Sequence, residues 1–169
     1  MRGRFKECQR AAWPVHKLKC KLNRDIKEGA NPRDLDVIKA LRQFTHKHRY
    51  NLASAAVDAF NLRSDITRAS REIFVVSLIQ RPGATRAESA FIAIDAHPES
   101  VSFFNDPNLE EQIRIGQEDK HYLGTVFVML RCIGPDKAVC NVFGVGFGDD
   151  IYEDTEPGPW KKRMLTLLI

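Results

Sequence analysis

The chain has 169 residues, 43% hydrophobic and 28% charged, with a net charge of +4. These values are ordinary for a globular chain, and the length suffices for one domain that buries roughly two-thirds of its unfolded surface. No run of 18 apolar residues occurs, which argues against a membrane-spanning helix, and the basic start lacks the apolar stretch of a secretory signal. The expected setting is intracellular, cytoplasmic or nuclear, with no membrane partner.

The charge is unevenly spread. Residues 1–28 hold nine Lys/Arg against three Asp/Glu, while the remainder holds 17 against 19. A basic terminal segment ahead of a nearly neutral body can be a solvated helical face, the preferred reading, or a contact for nucleic acid or an acidic partner.

In chain order, FKECQRAAW (5–13) suits a short helix, and Pro14 suits the first turn of a second one, VHKLKCKLNRDI. Gly29, Asn31 and Pro32 read as a linker, separating a segment over 1–28 from a domain over 33–169. DLDVIKALRQFTHKHR predicts a helix with Leu35, Ile38, Leu41 and Phe44 recurring along it, and LASAAVDAFNL predicts another carrying Leu52, Ala56, Ala59 and Phe60. From residue 71 the pattern turns strand-like. EIFVVSLIQ ends at Pro82-Gly83, and SAFIAIDA sets Phe91 on the opposite face from Ile92 and Ile94. NDPNLEEQIRIGQ predicts a helix with Asp106 near its start and Pro107 in its first turn. GTVFVMLRCI and AVCNVFGVGF, joined by Gly134-Pro135-Asp136-Lys137, predict a hairpin with a type I turn. PGPWKKRMLTLLI closes the chain as a helix. The expected fold class is α+β, a mostly antiparallel sheet of about four strands with packed helices, preceded by a short helical segment.

Cys8, His16 and Cys20 are the residues with metal-ligand spacing. His16 and Cys20 are four apart, so a helix sets both on one face within reach of one ion. Cys8 lies eight residues earlier, on the preceding helix. Zinc favours thiolate and imidazole in sets of four, and a fourth ligand is missing from this stretch.

The pattern C-x7-H-x3-C, with KECQ, Trp13-Pro14 and HKLKC, resembles the second half of a MYND-type zinc finger. The resemblance covers residues 4–20. That family holds two zinc ions with interleaved ligands, so it implies that Cys8 serves one ion while His16 and Cys20 serve the other. The family's preceding ligand position falls on Arg4. Neither set of four therefore closes within this sequence, and the expectation is a finger truncated upstream rather than one decayed to a helical hairpin. The helix KALRQFTHKHR ahead of an α+β region is similar, more loosely, to a group of fungal MYND proteins. The resemblance implies a protein or peptide partner, since MYND fingers bind short, often proline-containing peptides, and a regulatory role. Lysine methyltransferases that carry MYND fingers also carry an Asn-His pair, which this sequence lacks.

Other clusters have weaker claims. Gly144, Gly146 and Gly148 alternate as in a strand, where glycine marks close packing, rather than opening a helix as a phosphate loop would. Asp149, Asp150, Glu153, Asp154 and Glu156 fit no calcium-loop spacing and read as a solvated loop. His46 and His48 fall on different sides of a helix. Asp95 with His97, and Asp119 with His121, pair carboxylate with imidazole, but neither Ser100 nor Ser102 sits in a nucleophile elbow. Cys132 and Cys140 are expected on adjacent strands as buried free thiols. The leading expectation is a non-catalytic protein-interaction protein. The alternatives are an enzyme using Asp95, His97 or His121, and nucleic-acid binding by the basic start.

Overall fold

The computed structural model describes residues 32–135, 137–149 and 159–168. Cys8, His16, Cys20 and the rest of the finger-like segment lie outside the described residues.

Helix α1 spans Pro32–Phe60. After its Pro32 no glycine or proline interrupts it, and Val37, Leu41, Phe44, His48, Leu52, Ala55 and Phe60 form a buried stripe at intervals of three to five. The sequence suggested two helices here. Tyr50-Asn51 contains no breaker, and His48 and Leu52 carry the stripe across the join, so the two run on as one. Leu35 lies off the stripe and is exposed. Asn61 ends the helix in the left-handed region at φ 50°. There its N–H donates to Asp58 O and that of Leu62 to Val57 O, the paired bonds of a Schellman ending sealed by buried Leu62.

A four-residue helix, α2 (Arg68–Arg71), leads into strand β1 (Glu72–Gln80). Arg68 grips both oxygens of Glu72 and donates to Phe60 O at the end of α1. Strand β2 (Phe91–Ser100) is followed by helix α3 (Pro107–Gln117), strands β3 (Gly124–Ile133) and β4 (Ala138–Phe147), and helix α4 (Trp160–Leu167). The four strands lie in the order β2-β1-β3-β4. β1 pairs antiparallel with β2 and parallel with β3, and β3 pairs antiparallel with β4. The expected α+β class and the β3–β4 hairpin are present, and the sheet is mixed because its central pairing is parallel. Sitting between two partners, β1 reads as a nearly unbroken apolar run.

Asp106 caps α3 as its sequence suggests, its carboxylate accepting from the N–H groups of Asn108 and Leu109. A bulge interrupts the β1–β2 ladder: Ser77 faces Asp95 and Leu78 faces Ala93, leaving Ile94 unpaired. The extra residue shifts the alternation, so that Ala93 and Ala96 both reach the core and Ile94 stays exposed.

One sheet face presents Phe74, Val76, Leu78, Val128, Leu130 and Phe143 to the main core with α1 and α4. Phe60 and Trp160 both meet the Phe74 ring edge-on, at 6.3 and 5.4 Å between centroids. The opposite face packs Ile73, Val75, Phe127 and Met129 against Leu109 and Ile113 of α3. Among the described residues, no helix is long and apolar enough to cross a membrane.

Candidate functional site

The two outer strands of the sheet are built very differently. β2 carries Asp95, His97, Pro98 and Glu99 and the bulge at Ile94, and Lys161 of α4 reaches it to bind Asp95. Charges, proline and a bulge are the usual devices that keep a sheet edge from pairing with another chain. β4 reads AVCNVFGVGF, ten residues without a charge or a proline. Among the described residues no strand pairs with its outer side.

The register decides which backbone groups that outer side offers. Thr125 of β3 faces Gly146. Its N–H donates to Gln117 Oε1 at 3.0 Å and its C=O accepts from Gln117 Nε2 at 2.8 Å. Both groups thus point away from β4, toward the side where the β1 ladder, which reaches only to Val128, leaves a gap. Thr125 and Gly146 are therefore a non-hydrogen-bonded pair, and bonded and non-bonded pairs alternate along an antiparallel ladder. It follows that Cys140, Val142, Gly144 and Gly146 turn their N–H and C=O groups outward, while Asn141, Phe143, Val145 and Phe147 spend theirs on β3. Phe147 O, accepting from Leu123 N–H at 2.9 Å, and Gly144 O, bound from outside by Arg49, agree with this alternation.

Side chains around this edge explain its composition. A Cβ on Gly144 would sit 3.2 Å from the Phe127 ring, and one on Gly146 would sit 2.4 Å from the Tyr122 ring. The two glycines let aromatic rings lie across β4, which is the close packing their alternation suggested; Gly148 follows the strand. From α1, Arg49 places its guanidinium 5.4 Å from the centre of the Phe143 ring and donates to Gly144 O. Arg49 is the single side chain seen to cap an outward carbonyl among the described residues. Asn141 donates to Thr45 Oγ1 at 2.9 Å, tying the same strand to the middle of α1. Tyr50, 74% exposed, lines a hollow beside the edge with Val57, Gly146 and Phe147.

The other candidates are distributed over the molecule. Asp95 accepts from Lys161 and lies 3.0 Å from His97 Nδ1. The bond from Lys161, then that from His97, holds its carboxyl below the usual range, so it stays ionised. A general acid would need a shift in the opposite direction. His121 stands apart in an exposed turn, where its backbone N–H, rather than its ring, meets Asp119. Ser100 and Ser102 bond each other at 2.8 Å and line a second hollow with Arg71, Glu110 and Arg114. His46 is exposed and His48 buried, on different sides of α1 as expected.

Cys132 and Cys140 do lie on adjacent strands, but Cys132 faces Val139 and Cys140 faces Arg131. A one-residue offset sends their side chains to opposite faces, so Cys132 is buried while Cys140, contrary to expectation, is exposed. Burial pushes the Cys132 thiol up, making it a poorer nucleophile. Of the acidic stretch, Asp149 is described and exposed; Asp150, Glu153, Asp154 and Glu156 lie outside the described residues. Among the described residues, no group of three or more His, Cys, Asp or Glu is placed to hold a metal.

Sequence reasoning missed the edge because it followed reactive side chains, and this site is made of backbone. The available signal was the absence of charge over ten residues of a strand that closes a hairpin. The chain matches no family model, no curated protein and no solved structure.

Proposed function

We propose that this chain is a non-catalytic protein-interaction protein of MYND-finger descent, in which the α+β domain presents the β4 edge to an extended segment of a protein partner. The observation that carries this reading is the contrast between edges: β2 is guarded by charge, proline and a bulge, whereas β4 offers outward backbone groups on four residues with, among the described residues, one guanidinium over them. Strand addition draws its affinity from such main-chain groups and its specificity from alternate side chains. The finger-like start supplies the descent. Cys8, His16 and Cys20 match ligands of its closing half, and their thiolate and imidazole groups suit zinc. A reducing intracellular compartment, cytoplasm or nucleus, suits such a set of thiols.

Selection of a displayed random-peptide library on the folded chain tests the reading. Enrichment of extended peptides with alternating β-branched or aromatic residues is expected, with binding lost in Val142→Pro, which removes an outward N–H. Failure to enrich any peptide, or binding indifferent to Val142→Pro, contradicts it.

A further inference from the structure

We infer that the occupant of the β4 edge is the β4 edge of a second copy of this chain, paired antiparallel about a two-fold axis at Phe143. The inference rests on β4 being an interaction edge and names what fills it.

The outward groups belong to even-numbered residues, so a new ladder can exchange bonds only in registers that set even residues against even ones. A two-fold centred on Phe143 does this throughout. Val142 meets the second copy's Gly144, Cys140 meets the second copy's Gly146, and the two Phe143 residues form the non-bonded pair on the axis. The same register aligns the strand's flanks. Lys137 precedes β4 and Asp149 follows it, so antiparallel self-pairing sets each Lys137 against the opposite Asp149. Parallel pairing would set like charge against like. Within the strand no charge stands in the way.

β2 meets none of these conditions. Asp95, Pro98 and Glu99 and the bulge at Ile94 interrupt any comparable run. Self-pairing through β2 would also bring its acidic side chains toward one another.

Arg49 sets the strength of the pairing. Its guanidinium occupies Gly144 O, one of the acceptors the second copy needs, and lies above Phe143 at the axis. Docking must displace it, and the two-fold then brings two like charges together. Arg49 therefore acts as a restraint that keeps association weak. Tyr50, exposed beside it, supplies an aromatic surface next to the edge.

Sedimentation velocity on the full chain, over about a hundredfold range of concentration, tests this. The wild type is expected to shift from monomer to dimer as concentration rises. Arg49→Ala is expected to reach half-dimer at a concentration lower by at least about tenfold, since each dimer loses two charge-assisted competitors. Val142→Pro is expected to remain monomeric with an unchanged circular dichroism spectrum. If Val142→Pro fails to fold, Cys140→Lys, which charges an exposed position on the same edge, takes its place with the same expected result. Wild type and Arg49→Ala that both stay monomeric throughout, or a dimer that survives both edge variants, would overturn the inference. A monomeric chain that still selects strand-like peptides overturns only the second copy as occupant and leaves the interaction edge standing.

Discussion

His48 brings an imidazole into the core, 5% exposed, with the Phe44 ring 4.4 Å from its own. Burial first, and then the Lys47 charge, lower its pKa below 6.5, against a smaller opposing effect of a hydrogen bond to the Glu88 backbone. The folded state thus resists protonation more than the unfolded state does. Stability is full above the unfolded value and falls as pH drops from about 6.5 through the lower folded value. Thermal unfolding between pH 7.5 and pH 5 should show a falling Tm in the wild type and a flatter profile in His48→Leu. Equal slopes would remove His48 as the cause. Two glycines offer a second comparison, because both a Gly116 Cβ and a Gly146 Cβ would overlap an aromatic ring, at 2.7 and 2.4 Å. Phe127, beside Gly116, is 6% exposed and has nowhere to go, whereas Tyr122, beside Gly146, is half exposed and can swing outward. Gly116→Ala should cost about 1–3 kcal/mol from overpacking, against a gain of about 1 kcal/mol in helix propensity. Its midpoint in a urea titration should fall, and should fall further than that of Gly146→Ala.

At the level of elements, α3 owes its start to a few residues. Asp106 accepts from two N–H groups of the first turn and Pro107 fills a position that needs no donor. Asp106→Ala should destabilise the domain by about 1 kcal/mol, measured by the same titration, whereas Asp106→Asn, whose carbonyl oxygen can accept the same bonds, should keep most of the stability. These signals are local, and local signals were the legible ones: the cap of α3, the extent of β1 and the Gly134–Lys137 connection of the hairpin could all be read from residue order. Three features were not legible, each for a physical reason. The single α1 depends on a buried stripe running through His48, which polarity alone marks as a surface residue. The bulge at Ile94 depends on how β2 must meet Ala93 and Ala96 to the core, information held by β1 and α1 rather than by β2. The parallel pairing of β1 with β3 joins segments some fifty positions apart, such as Phe74 with Val128, and nothing in either segment names the other. The finger-like spacing of Cys8, His16 and Cys20 is a property of sequence alone, and those three lie outside the described residues. The candidate edge was the least legible, because unpaired backbone is marked in the sequence only by the lack of charge along β4.

For the molecule as a whole, the sheet has two edges built in opposite ways, β2 guarded and β4 without charge or proline. Exposed strands without charge or proline are a hazard that proteins normally suppress. Retaining one beside the displaceable Arg49 fits use as an interaction edge, and a site of this kind gives weak, concentration-dependent association. Amide hydrogen exchange followed by NMR at high dilution reads the open alternation of β4 directly. The N–H groups of Val142, Gly144 and Gly146 should exchange rapidly, while those of Phe143 and Val145 between them, bonded to β3, should be protected. Uniform protection along β4 in the dilute chain would show the edge already covered and would rule out an open interaction edge.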